Sequence, residues 1–266
     1  MTSRAVNMGR ALRAIAVNTF REAFRNKVFG TLMFFTVMLL LLSMVLGEMS
    51  LHNELRVTRN VTLFASTIFS TVISIYSSVT LFHTEFERRT IYTILSKPIP
   101  RWLFLAGKYL GVQALMAVIV LVQLGVTWGL MLYQGAELTQ PMLWSHATLY
   151  LQLTIVGALA LLFATFSSPL LAGFATTSLF IAGNLFSQLK YVRLLLEERS
   201  ASALARLIDV IEVILPNLEA LNLSHEVTYS TTIPASYGLG AASYALSYAA
   251  VVLVLAMIIF ERRDIA

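Results

Sequence analysis

Apolar residues along this chain come in long blocks, and polar residues collect between them. Six blocks stand out, at 28–47, 61–83, 108–133, 147–167, 170–188 and 238–260. About 20 mainly apolar residues, at 1.5 Å each, cross the roughly 30 Å hydrocarbon core of a bilayer. Each block therefore predicts a transmembrane helix. The fourth and fifth run together as one apolar tract, too long for a single crossing. The tract divides at Ser167-Ser168-Pro169, where the proline has no N–H to donate and favours a turn. The expected fold is an all-α integral membrane protein, a single transmembrane domain over 1–266 with six helices.

Two segments outside these blocks show helical periodicity. In 9–27, Leu12, Ile15, Ala16, Phe20 and Ala23 share one face, while Arg10, Arg13, Arg21 and Arg25 share the other. That pattern suits an amphipathic helix lying in the membrane surface, its arginines among lipid phosphates. The plainer alternative is a basic signal that only sets topology. In 201–215, Leu204, Leu207, Ile208, Ile211, Ile214 and Leu215 form a stripe that Pro216 ends. This predicts a second amphipathic helix, resting on or re-entering the opposite leaflet within the long loop 189–237, or else capping the protein there.

Charge placement orients the chain. Residues 1–27, 84–108 and 261–266 hold 13 Lys and Arg; the opposite loops hold six. The positive-inside tendency puts both termini in the cytoplasm of a multi-pass protein of the plasma membrane, the inner membrane in a Gram-negative cell. Composition agrees, with 58% hydrophobic and 12% charged residues, against about 25% charged in a soluble domain. The net charge of +5 does not point to nucleic acid, because the basic residues cluster at helix ends. The chain has no cysteine, which excludes disulfides, thiolate metal sites and cysteine catalysis.

Candidate chemistry is sparse. The apolar middles of the blocks carry no Asp, Glu, Lys or Arg, the groups proton-coupled carriers rely on. The energy source is thus expected outside the chain. Thr62, Ser66, Ser70, Ser74 and Ser78 recur every four residues on one face of the second block. They read either as the wall of a translocation path or as close helix packing through small residues. Gly107/Gly111 and Gly125/Gly129 have the G-x-x-x-G packing spacing. Asn184, Gln188, Gln113 and Gln123 are buried polar candidates, explained by interhelical hydrogen bonds, with Asn184 also a candidate for the path. His83 and Glu87 share a helix face, but no third metal ligand is evident. No nucleophile–base pair, phosphate-binding glycine loop or zinc motif occurs, so neither an enzyme nor a cofactor or metal site in this chain is expected.

The segment 84–107 interrupts the apolar pattern with "ERRTIYTILSKPIPRWLF". Glu87 to Ser96 fits about two and a half helical turns, with Ile91, Ile94 and Leu95 on one face. Pro98 blocks continuation, Pro100 suits the first turn of the next helix, and Trp102 suits an interfacial anchor. Such a braced helix, joined to two spans, is either a topology-setting loop or a handle for a soluble partner.

"FERRTIYTILSKPIPRWLFLAGKYLG" resembles the cytoplasmic coupling segment of type-2 ABC transporter permeases. "NTFREAFRNKVF" resembles the connecting-helix region of that family, and "LPNLEALNL" and "FERRDI" resemble its later landmarks, in the right order over nearly the whole chain. The segments are most similar to permeases of nitrous-oxide-reductase maturation systems. The resemblance implies a membrane subunit with no ATPase of its own, present as a homodimer with two cytoplasmic ABC ATPase subunits that bind ATP and Mg. It implies that Glu85, Glu87, Arg88, Arg89, Ile91, Tyr92, Leu95 and Lys97 engage the ATPase, and that Arg10 through Arg25 lie along the membrane nearby. The function expected is ATP-driven export. The alternative is relay of ATP-driven motion to an external partner without transport. An external accessory protein docking on 189–237 is a further expectation.

Overall fold

The structure, a computed structural model, describes residues 2–50, 53–87, 100–137, 139–198, 206, 208–209, 211–212, 214–228 and 232–262. Every regular element among them is helical. In chain order these are α1 (Thr2–Phe24), α2 (Lys27–Glu48), α3 (Glu54–Glu87), α4 (Arg101–Tyr133), α5 (Gln140–Phe166), α6 (Pro169–Asn184), α7 (Phe186–Glu198), a 3-10 turn (Glu219–Leu221), α8 (Ser224–Thr228) and α9 (Ala235–Arg262). Five of them, α2, α3, α4, α5 and α9, are long and apolar enough to cross a membrane, and the bent pair α6–α7 makes six if counted as one span.

Local chemistry sets the helix ends. Asn26 closes α1 and caps α2, its Oδ1 accepting from Val28 N at 2.9 Å. The N-terminal helix therefore stops at Phe24, short of the expected 27. Gly135, at φ +69°, ends α4. The N–H of Ala136 reaches Met131 O (2.8 Å) and that of Gly135 reaches Leu132 O (3.1 Å), the paired bonds of a Schellman cap that only a left-handed residue permits. Ser168 is extended (ψ 160°) before Pro169, because the proline ring clashes with a helical predecessor. That separates α5 from α6.

Three placements differ from the sequence expectations. Helix α4 begins at Arg101, so residues 101–107, assigned to the connecting segment, are its first two turns. Lys108, expected at the very start of the third block, consequently lies two turns inside a spanning helix and is 1% exposed. The fifth block, expected as one helix over 170–188, bends by 68° between α6 and α7. Leu185 leaves helical geometry there, and the freed carbonyl of Gly183 accepts from Leu218 N at 3.1 Å. The start of α7 is held by Glu219, whose Oε2 accepts from Ser187 N at 2.7 Å.

The bundle is built around α3, which touches α1, α2, α4, α5, α6 and α8. Helix α9 lies along α5 through a face of small residues, Gly238, Ala241, Ala245 and Ala249. Small side chains let two helices approach closely, which drives packing where lipid competes with apolar surface. Phe82, Phe104 and Phe260 close one end of this core in edge and stacked contacts. At the same end Arg101 donates to the carbonyls of Phe260 and Glu261. The C-terminal half of α1, the start of α4 and the end of α9 therefore share one end of the bundle, with the last turn of α3.

Helix α1 is amphipathic as its pattern requires, but its apolar face rests on α4 as well as facing outward. Ile15 sits against Gly107, and Ala16 O and Thr19 sit against Gly111. Gly125 and Gly129, in the second G-x-x-x-G pair, have nothing near their missing Cβ atoms. Residues 206, 208–209, 211–212 and 214 are helical, within the segment expected over 201–215; of its apolar stripe Ile208, Ile211 and Ile214 are among them, and Leu204 and Leu207 lie outside the described residues.

Candidate functional site

A groove of about 680 Å³ runs between α3 and α6. Ile68, Val72, Ile75 and Val79 of α3 form one wall, and Leu170, Gly173, Phe180 and Ile181 of α6 form the other. Thr71, Tyr76, Thr80 and Thr177 are its polar points, and none of its lining residues is charged. Leu170 is 70% exposed, and Leu171, Phe174 and Ile181 are exposed beside it. Such a surface is costly in water and suits lipid, a second apolar surface or an apolar ligand. Gly173 leaves the floor open, with no atom near its missing Cβ.

The groove exists because α6 is short and starts at a proline. The break at Ser167–Ser168 separates α6 from the end of α5. His83 of α3 braces that break, its ring nitrogens lying 3.0 Å from Val79 O and 3.1 Å from Ser167 O. At the other end the "LPNLEALNL" segment plugs the bundle. Leu215, Leu218, Leu221 and Leu223 are buried, and tyrosines of α9 satisfy the backbone nearby. Tyr248 donates to Ile214 O at 2.7 Å, Tyr237 donates to Ala220 O, and Tyr244 Oη accepts from Asn217 N at 2.8 Å.

The hydroxyl row does not line this groove. Thr62, Ser66, Ser70, Ser74 and Ser78 are all buried, on the face of α3 opposite Ile68, Val72, Ile75 and Val79, at 100° per residue. Ser70 donates to Gln123 Oε1 of α4 at 3.0 Å. Ser74 and Ser78 lie beside Gly157 of α5, with Gln113 between them and the glycine. Asn184 is half-buried at the α6–α7 bend, where its Oδ1 accepts from Gln152 at 3.3 Å and its Nδ2 donates to Phe180 O at 2.9 Å. Within one chain, all six of these residues lie at helix–helix contacts. The groove residues went unnamed in the sequence reading, although their signal was present as the apolar i, i+4, i+7 positions facing away from the serines.

The row contains a cost. Among the described residues, the hydroxyls of Ser66, Ser74, Ser78 and Thr127, Gln113 Oε1 and Gln123 Nε2 have no hydrogen-bond partner. Each buried unpaired group costs about 1–3 kcal/mol.

Glu85 and Glu87 stand on the last turn of α3; Arg88, Arg89, Ile91, Tyr92, Leu95 and Lys97 lie outside the described residues. Arg10, Arg13 and Arg21 are exposed on α1, and Arg25 is exposed just past its end. One turn inward, Lys108 Nζ approaches Glu22 Oε2 at 3.9 Å and lies 5.8 Å from the Phe104 ring, joining α1 to α4 electrostatically. Among the described residues no three His, Asp or Glu side chains converge as a metal ion would require. A polar hollow of about 610 Å³ lies at the opposite end, lined by Glu48, Glu54, Arg56, Arg59 and Gln134 among others.

A family model described as "ABC-2 family transporter protein" matches residues 13–265. No curated protein matches the sequence.

Proposed function

The chain belongs to the ABC-2 transporter family, and on that premise we propose that it is the permease subunit of an ATP-driven exporter. Two copies pair with two separate ABC ATPase subunits, which bind ATP and Mg. The observation that carries this reading is the double role of α3. One unbroken helix of 34 residues, about 50 Å long, forms a wall of the groove and ends at Glu87, where the basic segment 88–99 begins. A push on that segment reaches the groove without crossing a loop. Residues 85–97 are the ATPase contact, and Arg10, Arg13 and Arg21 of α1, with Arg25 just after it, lie along anionic lipid beside it. Both termini are cytoplasmic, and the membrane is the plasma membrane.

The groove's chemistry supports an apolar or amphipathic cargo, since it offers hydroxyls but no charge. A second copy facing it turns two grooves into one chamber. The length of 189–237 leaves room for an accessory protein docked there on the outside. Reversing both charges, Glu87→Lys with Arg88→Glu, is expected to weaken co-purification with the ATPase while leaving membrane insertion intact. Unchanged association removes the coupling assignment. In the purified complex, ATPase activity stimulated by a transportable compound supports export. Stimulation by an external protein alone replaces it with relay of motion.

A further inference from the structure

The serine row of α3 meets two glutamines that the groove does not use. Gln113 and Gln123 of α4 are 5% and 0% exposed, and both reach into the contact from the facing helix. Gln123 spends its oxygen on Ser70 (3.0 Å) and keeps a free NH₂. Gln113 spends its NH₂ on Leu153 O (3.4 Å) and keeps a free oxygen. One needs an acceptor and the other a donor. The hydroxyls of Ser66, Ser74, Ser78 and Thr127 need either. Only a small molecule that both donates and accepts serves all of them, and the absence of charge from these side chains disfavours an ion.

We propose that the α3–α4–α5 contact binds a file of internal water molecules, held by these hydroxyls and the two glutamine amides. Buried waters make about three hydrogen bonds each to otherwise unsatisfied polar groups, which is the need seen here. At one end the row borders the polar hollow through a chain of direct hydrogen bonds. Ser43 and Thr62 are hydrogen-bonded at 3.0 Å, Thr58 donates to Ser43 O at 3.4 Å, and Gln134 donates to Thr58 at 3.2 Å. Gln134 lines the polar hollow. From Thr58 to Ser78 the row extends about 30 Å, the thickness of the hydrocarbon core. Water there lets hydroxyls exchange partners, so α3 shifts against α4 and α5 without stripping its hydrogen bonds. The water site itself does not depend on the transporter reading.

The test uses the absence of cysteine: a single introduced thiol gives an S–H infrared band with no background from this chain. Full-length Ser74→Cys, Thr127→Cys and Ile73→Cys in lipid vesicles are moved into heavy water. Ile73 is 0% exposed and packs in the apolar core on the neighbouring face. The two row positions are expected to exchange at least about tenfold faster than Ile73→Cys, which must wait for local opening. Exchange as slow as at Ile73→Cys overturns the proposal. If the thiol variants do not fold, Ser74→Ala decides it. A lowered unfolding midpoint supports a bound water, whereas an unchanged or raised midpoint means the hydroxyl was dry and overturns it.

Discussion

Gly111→Ala adds one methyl group where α4 meets α1. A Cβ at that position lies 2.6 Å from Ala16 O and 2.6 Å from Thr19 Cβ. Comfortable contacts begin near about 3.5 Å, so α1 must retreat by about 1 Å. The obstructing atoms are a backbone carbonyl and a Cβ, and no rotamer change removes them. Overpacking of this kind costs about 1–3 kcal/mol. Replacing glycine by alanine in a helix returns about 1 kcal/mol, leaving a net loss of about 0–2 kcal/mol. Gly125→Ala, nearly four turns further along the same helix, meets nothing within 4 Å and keeps only the gain. The two variants should therefore differ by about 1–3 kcal/mol, or roughly 2–12 °C in midpoint at about 2–4 °C per kcal/mol. Thermal unfolding of both in the same lipid nanodiscs measures this. Equal midpoints would refute the packing of α1 on α4 and leave α1 as a helix free on the membrane surface.

The other consequences are local to the groove and the bend. Gly173→Phe projects a ring from the floor of the groove, where nothing lies within 4 Å of the added Cβ. Compound-stimulated ATPase activity of the complex is expected to fall with assembly unchanged, and undiminished stimulation would move the cargo elsewhere. Glu219→Ala removes the acceptor for Ser187 N. By analogy with helix capping this costs about 0.5–2 kcal/mol, and amide exchange across 186–189 should accelerate. Unchanged exchange would show that α7 is held by its other contacts.

The limits of sequence reading follow particular residues. The apolar blocks and the all-helical class are legible because a bilayer demands length and composition, which sequence states directly. The start of α4 was misplaced because Trp102–Gly107 is a short apolar stretch next to Lys108, which reads as a polar boundary. Lys108 is buried only because α1 folds back and brings Glu22 within 3.9 Å. Similarly, the bend at Leu185 has no local proline or glycine pair as its cause. Its determinants, Leu218 N–H and the Glu219 carboxylate, come from more than thirty residues away.

Sequence by itself determined that this chain is a bundle of apolar helices, that a proline divides the fourth and fifth blocks, and that α3 has a hydroxyl face. Those properties depend on composition and on periodicity within one segment. Tertiary structure alone decided which face of α3 looks inward. It turned the serines toward Gln113, Gln123 and Gly157, and left Ile68, Val72 and Ile75 to form a groove with α6. The physical reason is that small hydroxyl-bearing side chains let helices approach closely away from lipid, and the surfaces they pack on belong to other helices. Only folding brings them together.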